Sequence, residues 1–270
     1  MTAFTEEQVE AYLERIGAGR PREATGEALR ELQVRHLVAV PFENLAIHLG
    51  EDIVLTEQAL FEKIVGRRRG GFCYELNGAF AALLDTLGFQ VELLSARVFL
   101  PGPHQKLGPP YDHMALRVRA ADGSGPWLAD VGFGKHAHHP LRYDERGDQR
   151  DPGGVFRITE ASEGGDLDVL EGGAPVFRLE QRPRALGDFE ATCWWQRTAP
   201  TSHFRTFLTC SRLTGDGGRI TLSGDRLIDT PAQGERTESR LTEGELPGAY
   251  RDHFGIVLDR IPPIPASRPE

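Results

Sequence analysis

Apolar residues recur at helical spacing through the first third of the chain and at alternating spacing after Gly88. Val9, Tyr12, Leu13 and Ile16 share one helical face. Thr5 ahead of them, with Gln8 three residues on, forms a capping-box pattern, and Gly17 is a stop. Leu29, Leu32, Val34 and Leu37 predict a second helix ending before Pro41, and Thr56 caps a third carrying Ala59, Leu60 and Ile64. The strongest pattern is the fourth. Cys73 opens a segment whose Leu76, Ala79, Phe80, Leu83, Leu84 and Leu87 form one stripe, and Gly88 falls where a helix-ending glycine belongs.

Beyond Gly88 the period is two. Strands are predicted from Val91 to Val98, His113 to Arg119, Trp127 to Val131, Val155 to Ile158 and Leu167 to Leu170. Residues 144–154 and 160–174, rich in Gly, Asp and Glu, read as loops. Asp188 to Arg197 reads as a helix. Arg219 to Leu222 and Arg226 to Ile228 form a hairpin around Ser223-Gly224-Asp225, Leu246, Tyr250 and Phe254 suit a last short helix, and the proline-rich Ile261–Pro265 forms no regular element. Helices first, strands next and a mixed segment last make an α+β chain.

Composition narrows the function classes. A chain of 270 residues holds one large or two small domains. Its 31 basic and 40 acidic residues, a net charge of −9, disfavour nucleic acid and anionic membranes as partners. No apolar run reaches membrane-spanning length, and Met1–Glu7 lacks the basic and apolar regions of a secretory signal. Cysteines at 73, 193 and 210, without a CxxC, make a poor disulfide framework. The expectation is a soluble cytoplasmic protein with reduced thiols.

Candidate chemistry centres on Arg69-Gly70-Gly71-Phe72-Cys73-Tyr74-Glu75-Leu76-Asn77. Two glycines free the backbone just before a cysteine in the first turn of the best helix. The positive end of the helix dipole favours a thiolate there, so the thiol pKa is expected to fall. A small buried apolar cysteine is the competing reading. A thiolate nucleophile needs an imidazole base and a group to orient it. His113 begins one predicted strand and Asp130 ends the next, before Gly132-Phe133-Gly134. A four-residue loop at 120–123 would set them directly opposite. A two-residue Asp122-Gly123 turn would make them diagonal neighbours on one face. An acid in an apolar strand needs a partner, for which His113 is the geometric favourite. Capping of the glycine turn by Asp130 is the alternative.

These elements together resemble the arylamine N-acetyltransferases over nearly the whole chain. The matching motifs are Pro41-Phe42-Glu43-Asn44-Leu45, the cysteine motif, His113-Met114-Ala115-Leu116, Asp130-Val131-Gly132-Phe133-Gly134 and Thr198–Phe204, the last departing from the common form at Ala199 and His203. The resemblance implies a helical bundle (1–87) carrying the cysteine, a β-barrel (88–187) carrying the histidine and acid, and an interdomain helix with an α/β lid (188–270). It implies ping-pong acetyl transfer from acetyl-CoA, a cosubstrate rather than a bound cofactor, to a small aromatic amine or hydrazine. Cys73 would be the nucleophile, His113 its base and Asp130 the orienting acid, a triad like that of cysteine proteases. Glu43 and Arg69 would pair to lock the loop before Cys73. Phe42, Val98, Phe133 and Phe204 would wall the amine pocket, and Gly134, Trp195, Thr201 and Ser202 would contact CoA.

Three other readings compete: a macrolactam-forming amide synthase of the same fold, a papain- or transglutaminase-like hydrolase, and a non-catalytic module with Cys73 buried. Lys135-His136-Ala137-His138-His139 suits no tetrahedral metal set and reads as a solvated loop. No metal is expected. Ala191–Gly215 contains Arg197, Arg205 and Arg212 and no acid, which makes it the expected binding segment for the phosphates of CoA.

Overall fold

The computed structural model describes residues 4–102, 106–162 and 164–265; Met1–Ala3 of the N-terminal stretch read above lie outside them. Helices span Glu6–Ile16, Gly26–Ala39, Leu45–Leu49, Glu57–Phe61 and Cys73–Thr86, and a π-turn at Glu62–Gly66 follows the fourth. Their starts follow the capping chemistry. The Thr5 hydroxyl accepts the Gln8 N–H while the Gln8 side chain accepts the Thr5 N–H, and the hydroxyls of Thr25 and Thr56 accept the Ala28 and Ala59 N–H groups at the second and fourth helices. The Cys73 helix is buried on every side from Cys73 to Leu84, more than a one-stripe pattern predicts. One flank meets the helices, whose core includes Val9, Leu32 and Ile64. The other meets Leu93, Met114, Leu116 and Val118 on the outer face of a sheet.

That sheet has eight antiparallel strands in the order Leu141–Arg142, Trp127–Ala129, His113–Arg119, Gln90–Val98, Ala174–Arg184, Leu167–Glu171, Gly154–Glu160 and Gln149–Asp151. Its two edges come together. Gln149 spans the seam, accepting the Arg142 N–H at 2.7 Å and donating to the Arg142 carbonyl at 3.0 Å, so the sheet is a nearly closed barrel. Leu94, Ala96, Ala115, Phe156, Ile158 and Phe177 fill its interior.

The strand Leu167–Glu171 lies where one was predicted, while Gln149–Asp151 is extended within 144–154, where a loop was expected. Ala174–Arg184, eleven residues long, was not expected at all. Its buried Phe177 and Leu179 alternate with charged Arg178, Glu180 and Arg182, and Pro183 follows, so its apolar signal spans only two positions.

A second sheet runs Phe42–Glu43, Thr209–Leu213, Arg219–Ser223, Arg226–Thr230 and Thr237–Arg240, covered by the helix Leu246–Phe254. Its core joins Cys210, Ile220, Leu222, Tyr250 and Phe254 with Leu45 and Leu49. The predicted hairpin around Ser223–Asp225 is present, with Ser223 paired to Arg226. The edge strand comes from the N-terminal segment: Phe42 pairs with Ser211 and Glu43 with Cys210. Among the described residues no helix is long and apolar enough to cross a membrane.

Inside the helical layer, Lys63 (5% exposed) meets Glu75 (2% exposed) at 2.5 Å. Burial pushes the Glu75 carboxyl up, and Lys63 pulls it back. Removing one member of such a pair strands a buried charge. Lys63→Met is expected to destabilise the fold by about 3–5 kcal/mol in urea unfolding. Adding Glu75→Gln, which keeps an acceptor for the Phe72 N–H, should restore much of that loss. A single variant of unchanged stability would count against the pair's role.

Candidate active site

The segment before Cys73 is anchored from three directions. The Glu43 N–H donates to the Gly71 carbonyl at 2.8 Å, and the Phe72 N–H donates to Glu75 at 3.2 Å. Arg69 is ion-paired to Glu43 at 2.9 Å and reaches Glu51 at 3.4 Å, and Glu43 also accepts the Leu45 N–H at 2.7 Å. Burial raises the Glu43 carboxyl, but Lys63 and Arg69 outweigh it and hold it below its usual value. Glycine is required at position 70, because a Cβ there would stand 1.9 Å from the Pro41 carbonyl oxygen.

His113 and Asp130 are diagonal neighbours. The register pairs Leu116 with Ala129 and Val118 with Trp127, as the shorter of the two turns predicts. The side chains still touch, with His113 Nε2 2.6 Å from Asp130 Oδ2. Asp130 Oδ1 accepts from Asn77 Nδ2 and from the Gly132 N–H, both at 2.8 Å. Asn77 also donates to the Met114 carbonyl at 2.6 Å and accepts the Val131 N–H at 2.9 Å. It was quoted in the sequence motif without a role, yet it joins the Cys73 helix to both strands. Its signal is the spacing: four residues after Cys73, it lies on the same helical face. Gly132 closes the site, because a Cβ there would lie 2.7 Å from the Cys73 Cα. Burial alone raises the Asp130 carboxyl, but His113 and its hydrogen bond hold it below its usual value.

The expected depression of the Cys73 thiol is not found. Burial pushes it well above the ordinary thiol value, the Met114 N–H opposes this, and the carboxylates of Asp112 and Asp130 add to it. Cys73 is only 3% exposed. Desolvation of a lone thiolate outweighs the helix dipole.

Cys73 and His113 both face a cavity of about 500 Å³. Phe42, Val98, Phe133, Phe204, Trp195 and Thr201 line it too, with Trp195 over a third exposed. The Phe133 ring stands edge-on to His113 at 5.0 Å between centroids, and Phe204 packs edge-on against Phe72 at 5.2 Å. Two residues expected at CoA, Ser202 and Gly134, are not part of this lining. Ser202 is fully buried and gives its hydroxyl to Gln196 Oε1 at 2.7 Å, and a Cβ on Gly134 would stand 3.5 Å from the Phe42 ring. The sequence reading also missed Asp112 and Gln196 in the lining. Gln196 Nε2 donates to Asp112 Oδ1 at 2.6 Å, and Thr192 donates to the Pro110 carbonyl at 3.0 Å. The helix Glu190–Thr198 thereby straps down the segment before His113. Within that segment Tyr111 takes a left-handed φ of 61°, a strained geometry for a bulky residue.

The histidine run is not a solvated loop. His136 is 7% exposed inside the barrel, its ring against Phe156 at 4.8 Å, and burial lowers it to about 4. His138 is 9% exposed, and His139 pairs with Asp151 at 3.0 Å. The three arginines expected at phosphates are engaged otherwise. Arg197 pairs with Asp52 at 2.5 Å, Arg205 donates to the Arg197 carbonyl, and Arg212 donates to the His253 and Val38 carbonyls. A separate cavity of about 370 Å³ is basic instead, lined by Lys135, Arg219, Arg236, His136, His138 and the glycines Gly217 and Gly218.

Comparison with known proteins accords with this arrangement. A general N-acetyltransferase family profile matches residues 25–262. The arylamine N-acetyltransferase of Mycolicibacterium smegmatis is 38% identical over 80% of each chain. The arylamine N-acetyltransferase / N-hydroxyarylamine O-acetyltransferase of Salmonella typhimurium is 36% identical over 83% of this chain and 78% of its own. The arylamine N-acetyltransferase of Mycobacterium marinum, solved in complex with CoA, superimposes with a TM-score of 0.83 at 32% identity over 92% of both chains. Cys73 and His113 thus meet at one aromatic cavity, with Asp130 held behind the histidine, in a chain that belongs to the arylamine N-acetyltransferase family of acyltransferases.

Proposed function

We propose that the protein acetylates small aromatic amines or hydrazines in two steps through an acetyl-Cys73 intermediate, with Cys73, His113 and Asp130 as its triad. The observation that carries this reading is the fixed His113–Asp130 contact beside a cysteine that opens the same cavity. His113 Nε2 is committed to Asp130, which leaves Nδ1 for Cys73. A proton passed from the Cys73 thiol to Nδ1 creates no new net charge in the buried group, so the desolvation that disfavours a lone thiolate is largely avoided. Asp130 stabilises the imidazolium that results. The thiolate attacks the thioester carbonyl, and the CoA thiolate leaves with the proton from His113. The amine then attacks acetyl-Cys73, His113 takes a proton from its nitrogen, and collapse of the adduct returns the thiolate. As the first residue of its helix, Cys73 has a backbone N–H without an intrahelical partner, a donor for the oxyanion.

The division into a helical bundle at 1–87, a barrel at 88–187 and a lid at 188–270 has its support in the barrel interior, which draws only on residues of 88–187, while the other two cores cross these bounds. Phe42, Val98, Phe133 and Phe204 would hold the aromatic ring, while Trp195 and Thr201 flank the pantetheine. The cavity suits a single ring better than the wider cleft a macrolactam-forming synthase needs. Lys135, Arg219 and Arg236 are better placed for the phosphates of acetyl-CoA than the arginines of 191–215. Lys135 lies three residues past Gly132, at most about 11 Å along the chain from the Cys73 cavity. A pantetheine arm covers that span. We place the reaction in the cytoplasm, with reduced thiols.

Incubation with acetyl-CoA alone should add one acetyl group to the intact mass and release free CoA. Cys73→Ala should do neither while staying folded. Peptide cleavage without CoA release would favour a hydrolase instead. Lys135→Glu combined with Arg236→Glu should raise the KM for acetyl-CoA roughly three- to tenfold. Acylation by p-nitrophenyl acetate, which carries no phosphate, should keep its rate, and an unchanged KM would move the phosphates elsewhere.

A further inference from the structure

Asp112 has no part in the mechanism above, yet it lies in the same cavity between His113 and the helix Glu190–Thr198. It contributes the sole carboxylate of the cavity among the described residues, and none of those lining it is a lysine or arginine. We infer that Asp112 selects acceptors by charge, admitting neutral or cationic aromatic amines and turning away those that carry a carboxylate. The inference rests on the acceptor reading given above and names the class of acceptor it takes.

The carboxylate is built in rather than incidental. Ser202 donates its hydroxyl to Gln196 Oε1 at 2.7 Å, which turns the Gln196 amide N–H toward Asp112 at 2.6 Å. The Val98 N–H is a second donor to it. Two donors and no acceptor favour the ionised form of the group. Burial outweighs the donors and leaves the carboxyl above its usual value. The backbone on both sides is held as well, since Tyr74 donates its hydroxyl to the Tyr111 carbonyl at 2.7 Å and to the Asp112 carbonyl at 3.2 Å. Gly108 packs directly on the carboxylate, a Cβ there falling 2.1 Å from Oδ2, so the side chain has little room to withdraw. The charges acting on Asp112 are His113 and Arg97. Arg97 donates to the Gly108 carbonyl at 2.8 Å and lines a different cavity. An acceptor carboxylate would therefore lose its water among Phe42, Phe133 and Phe204, face Asp112, and find no lysine or arginine in the described lining, while His113 is neutral once the CoA thiolate has left with its proton. In a poorly hydrated cavity that repulsion is much stronger than in bulk water.

The test compares 4-aminobenzamide with 4-aminobenzoate, substituents of similar size that differ in charge, at saturating acetyl-CoA. Taking the ratio of kcat/KM within one enzyme cancels any change in acylation. The native protein should favour the amide by about 30-fold or more, and Asp112→Asn should narrow this to a few-fold. Equal use of the two acceptors by the native protein would overturn the inference without any substitution. An unchanged ratio in a folded Asp112→Asn would overturn it as well. If neither compound, nor aniline or hydralazine, is acetylated although CoA is released, the acceptor reading itself fails, which the ratio cannot mimic.

Discussion

Asp130 receives hydrogen bonds from three parts of the chain at once: the His113 ring on the neighbouring strand, the Asn77 amide on the Cys73 helix, and the Gly132 N–H of its own turn. A carboxylate buried without such partners would cost several kcal/mol. Satisfying it obliges the helix and the sheet to meet in one register. Because Asn77 stands one turn beyond Cys73, the same contact sets the cysteine's position relative to His113. Asn77 binds the Met114 carbonyl and the Val131 N–H as well, so neither strand can slide without breaking buried hydrogen bonds. Gly132 then lets the turn lie against the Cys73 backbone, where any side chain would force the layers apart.

Packing the helix so deeply has a chemical consequence. Aromatic rings and two carboxylates surround Cys73, and they disfavour an isolated thiolate. The helix dipole, the natural argument from sequence, applies best to partly exposed cysteines. On the proposed mechanism, reactivity would come from His113 as proton acceptor, with charge exchanged inside the buried group rather than drawn from solvent.

Much of this was legible in the residues. Helix starts at Thr5 and Thr56 follow local capping chemistry, and local chemistry is written in adjacent positions. Alternation placed His113 and Asp130 on one face, and the side chains close the gap that their diagonal register leaves. The strand Ala174–Arg184 was hidden because its outward face is charged and only Phe177 and Leu179 carry its inward signal. The burial of His136 and His138 was hidden for the opposite reason: polar residues entered the interior, supported by Asp151 and by aromatic rings distant in sequence. Ser202, Gln196 and Asp112 form a chain across two segments that no spacing rule connects. The arginines of 191–215 illustrate the limit of counting charge along a sequence, since Arg212 is turned inward to the His253 and Val38 carbonyls while Arg197 and Arg205 stay near the surface.

Charge is distributed in space more sharply than the net value of −9 suggests. The basic cavity of Lys135, Arg219 and Arg236 stands on one side of the Gly132–Gly134 turn, and the aromatic cavity, with Asp112 as its carboxylate, on the other. Arg219 keeps its place by donating to Ser211 at 3.0 Å, although burial draws its guanidinium down to about 10. The two-step transfer proposed above would use this separation. Its donor is a polyanion and its acceptor an aromatic base, and both would have to reach the Cys73 sulfur in turn. Cations placed beside Cys73 would hold CoA after its thiol has left and would stabilise carboxylated acceptors. With the proposed phosphate-binding charge beyond the turn, the reacting end of the cavity would be left to aromatic contact and to proton transfer by His113.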